Sequence, residues 1–305
     1  MTHVPERLKA YAKRLPELER AVAWRTLRRW SLSEVYRITL NGGETRIVKW
    51  GGGEMAREAS VYTDLLIPLQ IRSPRLYFAE SDSRQGMLLM EDVGPNNVEQ
   101  RPEPAHFAEA AKELSRLRKC ASAHLKGGRI PRGVADRYIV TAETFLRQLD
   151  RLLHASPYSG NPVLPRVRQS LPGPLDRLYR SEPMTIVHHD YHAKNWVVQN
   201  GRIMPVDWSN AYLSPHLGDL YRLAVEANDF CGVPRDAVLN AYLEELAQPG
   251  MSAAELKRQT AVGGLCWLIR SLYWLANGGT NAIPGSDGWI PDLIGDMEPL
   301  CEELP

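Results

Sequence analysis

Apolar and polar positions follow two different periods along the chain, and the first of them is the period of a β-strand. Short runs of this kind, bounded by turn residues, predict strands at 35–40, 45–50, 75–80 and 87–93. Asn41, Gly42 and Gly43 stand between the first two runs, and this turn signal predicts a β-hairpin. Residues 54–66 instead carry apolar side chains at every third or fourth position, so we expect a helix among the strands.

The helical period dominates after Gly94. Residues 104–125 and 136–154 predict the clearest helices of the chain. The front part is therefore expected to be rich in β-sheet and the larger back part to be helical. We expect a boundary near Gly94, with one lobe formed by residues 1–93 and the other by residues 94–305.

Composition and charge narrow the class of protein. Of 305 residues, 44% are hydrophobic and 24% are charged, which are ordinary values for a folded globular chain. The 37 Lys and Arg against 36 Asp and Glu give a formal net charge of +1, so we expect no nucleic-acid partner. The most apolar stretch, 263–276, is too short to span a membrane and contains Arg270, so we expect no membrane association. The charged N-terminus and four widely spaced cysteines favour a reduced, cytoplasmic protein.

The segment 188–195, His-His-Asp-Tyr-His-Ala-Lys-Asn, carries the most informative chemistry. Asp190 and Asn195 are close enough to share one loop, where the carboxylate could accept a hydroxyl proton and the amide oxygen could bind a hard cation. Asp207 follows a hairpin predicted around residues 199–201, and its carboxylate could bind the same cation. Oxygen ligands of these kinds suit Mg²⁺, which bridges substrate phosphates. The three side chains together indicate phosphoryl transfer.

These residues resemble the catalytic elements of the aminoglycoside phosphotransferase and choline kinase family, within the protein-kinase-like superfamily. His188, Asp190 and Asn195 match the catalytic loop His-x-Asp-x-x-x-x-Asn of that family. Asp207, in Val-Asp-Trp, matches the metal-binding aspartate, and Asp219, in Gly-Asp-Leu, matches the aspartate that braces the catalytic loop. The resemblance implies an α+β, two-lobed protein-kinase-like fold. A nucleotide-binding N-lobe would hold an antiparallel sheet and one main helix, and a larger helical C-lobe would hold the catalytic loop and the acceptor pocket.

The resemblance also assigns roles to lysines and their partners. Lys49 stands in a predicted strand, where the family places the lysine that binds the α- and β-phosphates. Glu58 on the following helix would pair with it, and Glu54, one turn earlier, is the alternative partner. Protein kinases place a further lysine two residues after the catalytic aspartate, where this chain has His192. Lys194 could reach a phosphate instead, or could be solvated.

The remaining nucleotide contacts implied by the resemblance concern the adenine ring and the phosphate-covering loop. Met90 would lie behind the adenine ring, while the backbone oxygen of Glu91 and the N–H of Val93 would bind its edge. The loop between Trp30 and Tyr36 contains no glycine, unlike that of protein kinases. Ser31 and Ser33 would contact phosphate there, and either ATP or GTP could be the donor.

The expected reaction is Mg²⁺-dependent transfer of the γ-phosphoryl group of ATP, or of GTP, to a hydroxyl of a small molecule. Six carboxylates follow Arg270 without any Lys or Arg, which would attract a cationic acceptor: Asp287, Asp292, Asp296, Glu298, Glu302 and Glu303. These carboxylates could instead be solvated, and Trp267 and Trp274 could stack on an acceptor or belong to the core. An aminoglycoside or other antibiotic is the first acceptor class that we expect, as in a resistance kinase.

Three alternatives stay open at this point. The enzyme could be a metabolic kinase of choline, an amino alcohol or a sugar. The chain could instead be a catalytically inert nucleotide-binding protein of the same fold, which the glycine-free loop would allow. The cluster of His188, His189, Asp190 and His192 could instead bind zinc or iron, as in a hydrolase, although adjacent histidines of a strand point to opposite faces.

Overall fold

The structure is a computed structural model that describes residues 3–82, 84–156, 158–247 and 250–304. The outermost positions of the two predicted lobes, residues 1 and 305, lie outside these ranges. Among the helices of the described ranges, none combines the length and the apolar character needed to cross a lipid bilayer.

An antiparallel five-stranded sheet forms the front of the molecule. Its spatial order is β1-β2-β3-β5-β4, with the strands β1 (Ala23–Arg29), β2 (Ser33–Thr39), β3 (Thr45–Gly52), β4 (Leu76–Ser81) and β5 (Gln85–Glu91). The predicted hairpin joins β2 to β3, because Gly42 and Gly43 take φ angles of 108° and 87° that other residues rarely adopt. β1 has no counterpart among the predicted strands, since it is an edge strand in which only Trp24 is buried.

Helices cover both faces of this sheet. On one face, α1 (Lys9–Ala12) and α2 (Pro16–Arg20) enclose a core with Trp24, Tyr36 and Val48 of the strands. The predicted helix 54–66 lies on the other face in three parts. A 3-10 turn leads into α3 (Arg57–Val61), and one π-helical turn follows it. α3 contacts β4 and β5 and buries the carboxylate of Glu58.

Helices make up most of the back part of the chain. They are α4 (Pro104–Lys126), α5 (Arg132–Ala135), α6 (Ala142–His154), α7 (Val163–Ser170), α8 (Pro172–Ser181), α9 (Gly218–Cys231), α10 (Arg235–Leu246), α11 (Ala253–Trp274), α12 (Thr280–Ala282), α13 (Ile290–Gly295) and α14 (Met297–Glu302). The prediction of a helix over 136–154 is wrong at its start. Thr141 caps α6 by accepting a hydrogen bond from the N–H of Thr144 at 3.2 Å, while the preceding residues bond to Leu213 instead.

Two short antiparallel strand pairs carry the segment predicted to be catalytic. β6 (Thr185–Val187) pairs with β9 (Tyr212–Ser214), and β7 (Trp196–Gln199) pairs with β8 (Arg202–Pro205). Asn200 and Gly201 both have positive φ angles, as the tight turn between β7 and β8 requires. The segment 188–195 is therefore the loop between β6 and β7, and Asp207 comes shortly after β8. The antiparallel sheet and the helical back part confirm the predicted α+β class.

Candidate active site

The loop 188–195 is held by a carboxylate of α9. Asp219, in the first turn of this helix, is buried and accepts hydrogen bonds from the N–H of His188 at 2.7 Å and of His189 at 2.8 Å. His189 has a φ of 67°, which is unfavourable for a residue with a side chain. The two hydrogen bonds stabilise this conformation and so fix the backbone just before Asp190. Burial raises the pKa of Asp219, while the hydrogen bonds from the two N–H groups oppose the shift.

Three side chains surround the Asp190 carboxylate. The amide nitrogen of Asn195 donates to its Oδ2 at 2.8 Å and to its backbone oxygen at 2.9 Å. Lys194 Nζ lies 3.2 Å from Oδ1, and His192 Nε2 lies 3.3 Å from the same atom. Burial favours the protonated acid, but Lys194 and His192 outweigh it and lower the pKa of Asp190 below its usual value. Asp190 is therefore ionised at neutral pH and can accept a hydrogen bond from a hydroxyl.

His188 is packed inside the same loop. Its ring Nε2 lies 3.1 Å from the carbonyl oxygen of Val206, which can only accept, so this nitrogen carries the hydrogen. The ring centroid is 4.3 Å from that of Trp208 and 5.8 Å from that of Tyr191. Burial lowers the pKa of His188 in spite of nearby carboxylates, so the ring is neutral. These contacts are those of a packing residue and not of an acid or base in a reaction.

Asp207 and Lys49 connect the end of the β7–β8 hairpin to the front sheet. Asp207 has a φ of 65°, and its Oδ1 accepts a hydrogen bond from Lys49 Nζ at 2.7 Å. Burial favours the neutral acid, but the ammonium group of Lys49 outweighs it and holds the pKa of Asp207 well below its usual value. For Lys49, burial acts to lower the pKa, and the carboxylates of Asp207 and Glu58 reverse this, so the pKa is raised. Both groups are therefore charged.

Glu58, and not Glu54, is the helical partner of Lys49. Lys49 Nζ forms an ion pair with Glu58 Oε2. Glu58 Oε1 accepts a hydrogen bond from the N–H of Trp208 at 3.1 Å, so this carboxylate ties α3 to the segment after β8. Glu54 is exposed and instead accepts a hydrogen bond from Nε1 of Trp274 at 3.2 Å. One buried glutamate thus joins the sheet lysine to the back part of the chain.

Met90, Glu91 and Val93 lie where β5 ends. Met90 is buried in the core that α3 shares with α4. The N–H of Glu91 donates to the backbone oxygen of Arg75 at 2.8 Å. The N–H of Val93 has no hydrogen-bond acceptor in the part of the chain that the structure describes. A backbone donor is therefore available at the position where the sequence predicts contact with an adenine edge.

The turn between β1 and β2 is short and closed, unlike the longer, open loop that a glycine-rich sequence forms. The N–H of Trp30 donates to the backbone oxygen of Ser33 at 3.0 Å, which closes the turn. Ser31 is exposed in the turn. Ser33 is 3% exposed in β2, where it pairs with Gly51 of β3. Of the two serines predicted to contact phosphate, Ser31 is the accessible one.

Arg28 is a residue of this site that sequence reasoning missed. It lies in β1 beside a β-bulge, and its guanidinium is 3.6 Å from Asp207 Oδ2. Its side chain is 53% exposed, so the guanidinium can move towards a ligand. A guanidinium group can bind phosphate oxygens in a bidentate manner. The guanidinium of Arg28 also places positive charge near the glycine-free turn. The only signal in the sequence is the position of Arg28 two residues before that turn.

Asn195 and Asp207 offer oxygen atoms of the kind that Mg²⁺ prefers. A hydrogen bond of 2.9 Å from the N–H of Val206 to the backbone oxygen of Asn195 holds their segments together. The amide nitrogen of Asn195 is bound to Asp190, which leaves the amide oxygen for a cation. One amide and one carboxylate fit Mg²⁺, because this ion keeps several waters and binds phosphate. Within the described ranges, no group of three or more His, Cys, Asp or Glu side chains is arranged to hold a metal ion.

α11 forms a wall beside the catalytic loop. Trp267 Nε1 donates to the backbone oxygen of His189 at 2.8 Å, and the Trp267 ring lies 5.9 Å from the His192 ring between centroids. Seven residues later, Trp274 forms its hydrogen bond with Glu54 at the front of the molecule. Trp267 is only 7% exposed, so it contributes to the core as well as to this wall. The helix therefore spans the space between the catalytic loop and the sheet part.

Three of the six carboxylates that follow Arg270 have partners elsewhere in the molecule. Glu298 and Glu303 are each engaged in an ion pair with an arginine. Asp296 accepts a hydrogen bond from the hydroxyl of Tyr221 at 3.3 Å, and the Tyr221 ring lies 6.4 Å from that of Trp267. Burial raises the pKa of Asp296, and neighbouring carboxylates act in the same direction. Asp296 is thus linked through Tyr221 to the wall beside the catalytic loop.

A strand lysine that is paired with a helix glutamate and bound to the aspartate after the loop 188–195 is an arrangement typical of protein-kinase-like phosphotransferases. A sequence model of the phosphotransferase enzyme family matches residues 24–256 of this chain. The chain therefore belongs to the phosphotransferase enzyme family, which confirms the predicted relationship and the predicted enzyme class, a small-molecule kinase. A search of curated protein sequences finds no match.

Solved structures share this fold over almost the whole chain. A thermostable mutant of aminoglycoside phosphotransferase APH(4)-Ia, in a ternary complex with ADP and hygromycin B, is 13% identical, with a TM-score of 0.63 and 97% of each chain covered. Choline kinase LicA from Streptococcus pneumoniae is 15% identical, with a TM-score of 0.64 and coverage of 98% of this chain and 99% of that one. A choline/ethanolamine kinase family protein from Mesorhizobium loti is 19% identical, with a TM-score of 0.62 and coverage of 97% and 94%. The two-lobed kinase-like fold is thereby confirmed.

Proposed function

We propose that this protein transfers the γ-phosphoryl group of ATP to a hydroxyl of a small molecule in a Mg²⁺-dependent reaction. The observation that carries the proposal is the convergence of four charged or polar side chains from distant parts of the chain. Asp190 and Asn195 share one loop through a hydrogen bond of 2.8 Å, and Lys49 of the sheet donates to Asp207 at 2.7 Å. Phosphoryl transfer needs positioning and charge neutralisation, and these residues provide both.

In this proposal Asp190 accepts a hydrogen bond from the acceptor hydroxyl. The hydroxyl oxygen then forms a bond to the γ-phosphorus, the bond from that phosphorus to the β-γ bridging oxygen breaks, and the hydroxyl proton passes to Asp190. Asp219 and His188 hold the loop in place during this step, since both are buried. Asp219 accepts a hydrogen bond from the loop backbone, and the His188 ring binds the backbone oxygen of Val206. Because Asp190 is ionised, it is ready to orient the hydroxyl.

The nucleotide would lie between the sheet part and the helical part, with the lobe boundary near Gly94. Lys49, held by Glu58, would bind the α- and β-phosphates, and Arg28 would add a second positive charge near the phosphates. The contacts expected to complete the nucleotide site come from Met90, Glu91, Val93 and Ser31, since Ser33 is buried in β2. Aminoglycoside phosphotransferases of similar fold have been solved with bound ADP, which supports ATP as the phosphoryl donor. GTP stays an alternative donor.

Asn195 and Asp207 would hold the Mg²⁺ ion through their oxygens. When bound, this ion would neutralise charge on the transferred and departing phosphates. Lys49 already keeps Asp207 ionised, so the carboxylate is in the form that binds a cation.

For the acceptor, we propose an aminoglycoside or another hydroxylated antibiotic first. Asp296, beside the wall of α11, offers a carboxylate for an acceptor amine, and similar folds include complexes with hygromycin B and gentamicin. A metabolic acceptor such as choline, an amino alcohol or a sugar is the second candidate, because the similar folds also include choline kinases. An inert nucleotide-binding protein is the remaining alternative.

A coupled assay of ADP and GDP release tests this function. Purified protein is incubated with Mg²⁺, with ATP or GTP, and with a panel of aminoglycosides, other hydroxylated antibiotics, amino alcohols and sugars. Asp190→Asn should lower acceptor-dependent release by about 10²–10⁴-fold. Asp176→Asn, at an exposed position of α8, is the matched control and should leave release unchanged. Wild-type release in the Asp190→Asn variant contradicts the proposed role, and nucleotide binding without release for any acceptor favours the inert alternative.

A further inference from the structure

α9 contacts the loop 188–195 at a second point, through Glu226, which has no role in the reaction proposed above. Glu226 stands seven positions after Asp219, so the two carboxylates lie two turns apart on the same face of the helix. Asp219 binds the backbone before Asp190. Glu226 Oε2 accepts a hydrogen bond of 2.7 Å from the N–H of Ala193, a residue that follows Asp190 in the loop. One helix face therefore fixes the loop on both sides of the proposed base.

The second oxygen of Glu226 reaches Asp190 through a histidine. Glu226 Oε1 lies 2.7 Å from His192 Nδ1, and His192 Nε2 lies 3.3 Å from Asp190 Oδ1. The side chains of Glu226 and His192 are only 7% and 15% exposed, so solvent competes little for these contacts. Arg222 Nη2 lies 3.3 Å from Glu226 Oε1, which adds a positive charge beside this buried carboxylate. The order of groups is carboxylate, imidazole, carboxylate.

The hydrogen bond between Glu226 and His192 fixes the orientation of the His192 imidazole ring. A carboxylate oxygen can only accept, so Nδ1 carries the hydrogen that is donated to Glu226. With Nδ1 held by Glu226, the opposite nitrogen, Nε2, faces Asp190 Oδ1 and holds it when Nε2 also carries a hydrogen. The ring cannot turn away without breaking the short, partly buried hydrogen bond to Glu226. Burial alone would raise the pKa of Glu226, but the hydrogen bond from His192 lowers it, so the acceptor is ionised. The Trp267 ring beside His192 limits the space for another rotamer.

We propose that Glu226 and His192 act as one positioning pair that holds the Asp190 carboxylate for attack by the acceptor hydroxyl. This inference rests on the proposed function of Asp190. Lys194 touches the same oxygen of Asp190, but its side chain is 44% exposed and no other ion pair fixes it among the described residues. The buried pair therefore supplies the fixed direction that the flexible lysine lacks. Loss of the pair should affect the chemical step more than nucleotide binding, since neither residue contacts Lys49 or Asp207.

The experiment compares Glu226→Ala, Glu226→Gln, His192→Ala and the double variant Glu226→Ala/His192→Ala. ADP release is measured with the best acceptor and also without acceptor, when water takes the phosphoryl group. We expect Glu226→Ala to lower kcat about 10²-fold, because small displacements of a catalytic group have effects of that size, while KM for ATP stays within about twofold. Glu226→Gln keeps an oxygen that can accept from His192 Nδ1, so it should recover part of the loss. Residues that act as one unit have non-additive effects, so the double variant should be about as slow as either single variant.

Controls separate positioning from folding. Glu244→Ala and Glu244→Gln, at an exposed position of α10, should leave kcat unchanged. Circular dichroism and ADP binding verify that each variant of Glu226 and His192 is folded. A folded Glu226→Ala variant with wild-type kcat overturns the inference, and so do effects that multiply in the double variant or a loss of ADP affinity equal to the loss of kcat. If Asp190→Asn retains release, or if the wild type releases no ADP at all, the proposed function itself fails and this inference fails with it.

Discussion

Lys49 Nζ donates a hydrogen bond to Asp207 Oδ1 at 2.7 Å across 158 positions of sequence. The same ammonium group forms an ion pair with Glu58, whose other oxygen binds the N–H of Trp208. Three buried groups thus connect the sheet, α3 and the segment after the catalytic hairpin. Removal of one partner from a buried ion pair is costly, because it leaves an uncompensated charge. The arrangement of the front sheet and the arrangement of the proposed catalytic and metal-binding aspartates therefore depend on each other.

Substitution of Glu58 should raise KM for ATP, whereas substitution of Glu54, the other candidate partner of Lys49, should not. Glu58→Gln weakens the ion pair that positions Lys49, and a hydrogen bond to a charged group contributes about 1.5–3 kcal/mol. We expect KM for ATP to rise about 10- to 100-fold, as measured in the coupled assay at a saturating acceptor concentration. Glu54→Gln is the matched control, since this exposed residue does not contact Lys49. An equal effect of both substitutions would show that Glu58 does not have a specific role.

Arg28 should contribute to nucleotide binding although the sequence does not identify it. Arg28→Ala removes the guanidinium that lies 3.6 Å from Asp207 Oδ2. A charge-assisted contact with phosphate contributes about 1.5 kcal/mol or more, so Kd for ATP should rise about tenfold. Isothermal titration calorimetry with a non-hydrolysable ATP analogue measures this change. Arg25→Ala, at another exposed position of β1, should leave the affinity unchanged, and an unchanged affinity in Arg28→Ala would remove Arg28 from the phosphate site.

Stability should fall as the pH decreases below about 6.5, the ordinary pKa of histidine. Burial holds the pKa of His216 well below that value, and Arg118 and Arg270 lower it further. The folded chain thus keeps this ring neutral, while the unfolded chain binds a proton, so the free energy of unfolding falls by up to about 1.4 kcal/mol per pH unit for one such group. Urea denaturation at several pH values measures the slope.

His216→Gln should reduce this slope, because the variant has no proton to take up at position 216. His154→Gln is the control, since His154 is exposed on α6. The ring of His216 accepts a hydrogen bond from the N–H of Gly218 at 3.0 Å and lies 2.8 Å from the hydroxyl oxygen of Tyr212, so some overall loss of stability is expected as well. A slope between pH 7 and pH 5 that is identical in His216→Gln and wild type would contradict the assignment.

Asp296 should influence the choice of acceptor by charge. If a cationic acceptor binds beside α11, Asp296→Asn removes a carboxylate that would attract its amine. Partly exposed ion pairs contribute up to about 1 kcal/mol, so KM for a cationic acceptor should rise about fivefold while KM for a neutral sugar stays unchanged. Glu298→Gln, in an exposed ion pair away from Tyr221, is the control. An equal change for cationic and neutral acceptors, or no change for either, argues against an electrostatic role of Asp296.

Local patterns predict local structure well in this protein. The hairpin turns at 41–43 and 199–201 and the helix at 104–125 all depend on residues close together in sequence. The start of α6 was beyond such patterns, because the residues before Thr141 bond to β9 of a distant segment. β1 was missed for a related reason, since an edge strand with one buried residue shows no alternation.

The residues alone are enough to predict which side chains of the proposed catalytic segment come together. Asp190, Asn195, Asp207 and Asp219 come within thirty positions of each other, and a loop, a hairpin and a helix start suffice to bring them together. The position of Glu226 seven residues after Asp219 is a further signal of the same local kind, because the helical period places both on one face.

Contacts between distant segments required the packed molecule. Glu54 and Glu58 are one helical turn apart and chemically equivalent, and the choice between them depends on how α3 packs against Trp208. Arg28 and Asp207 lie in distant segments of the chain, and only the folded molecule brings their side chains to 3.6 Å. Such contacts join segments that are far apart along the chain, and their free energy depends on burial and on the direction of each side chain. Neither quantity is encoded in the spacing of residue types, so residue type restricts the chemistry and packing selects the partners.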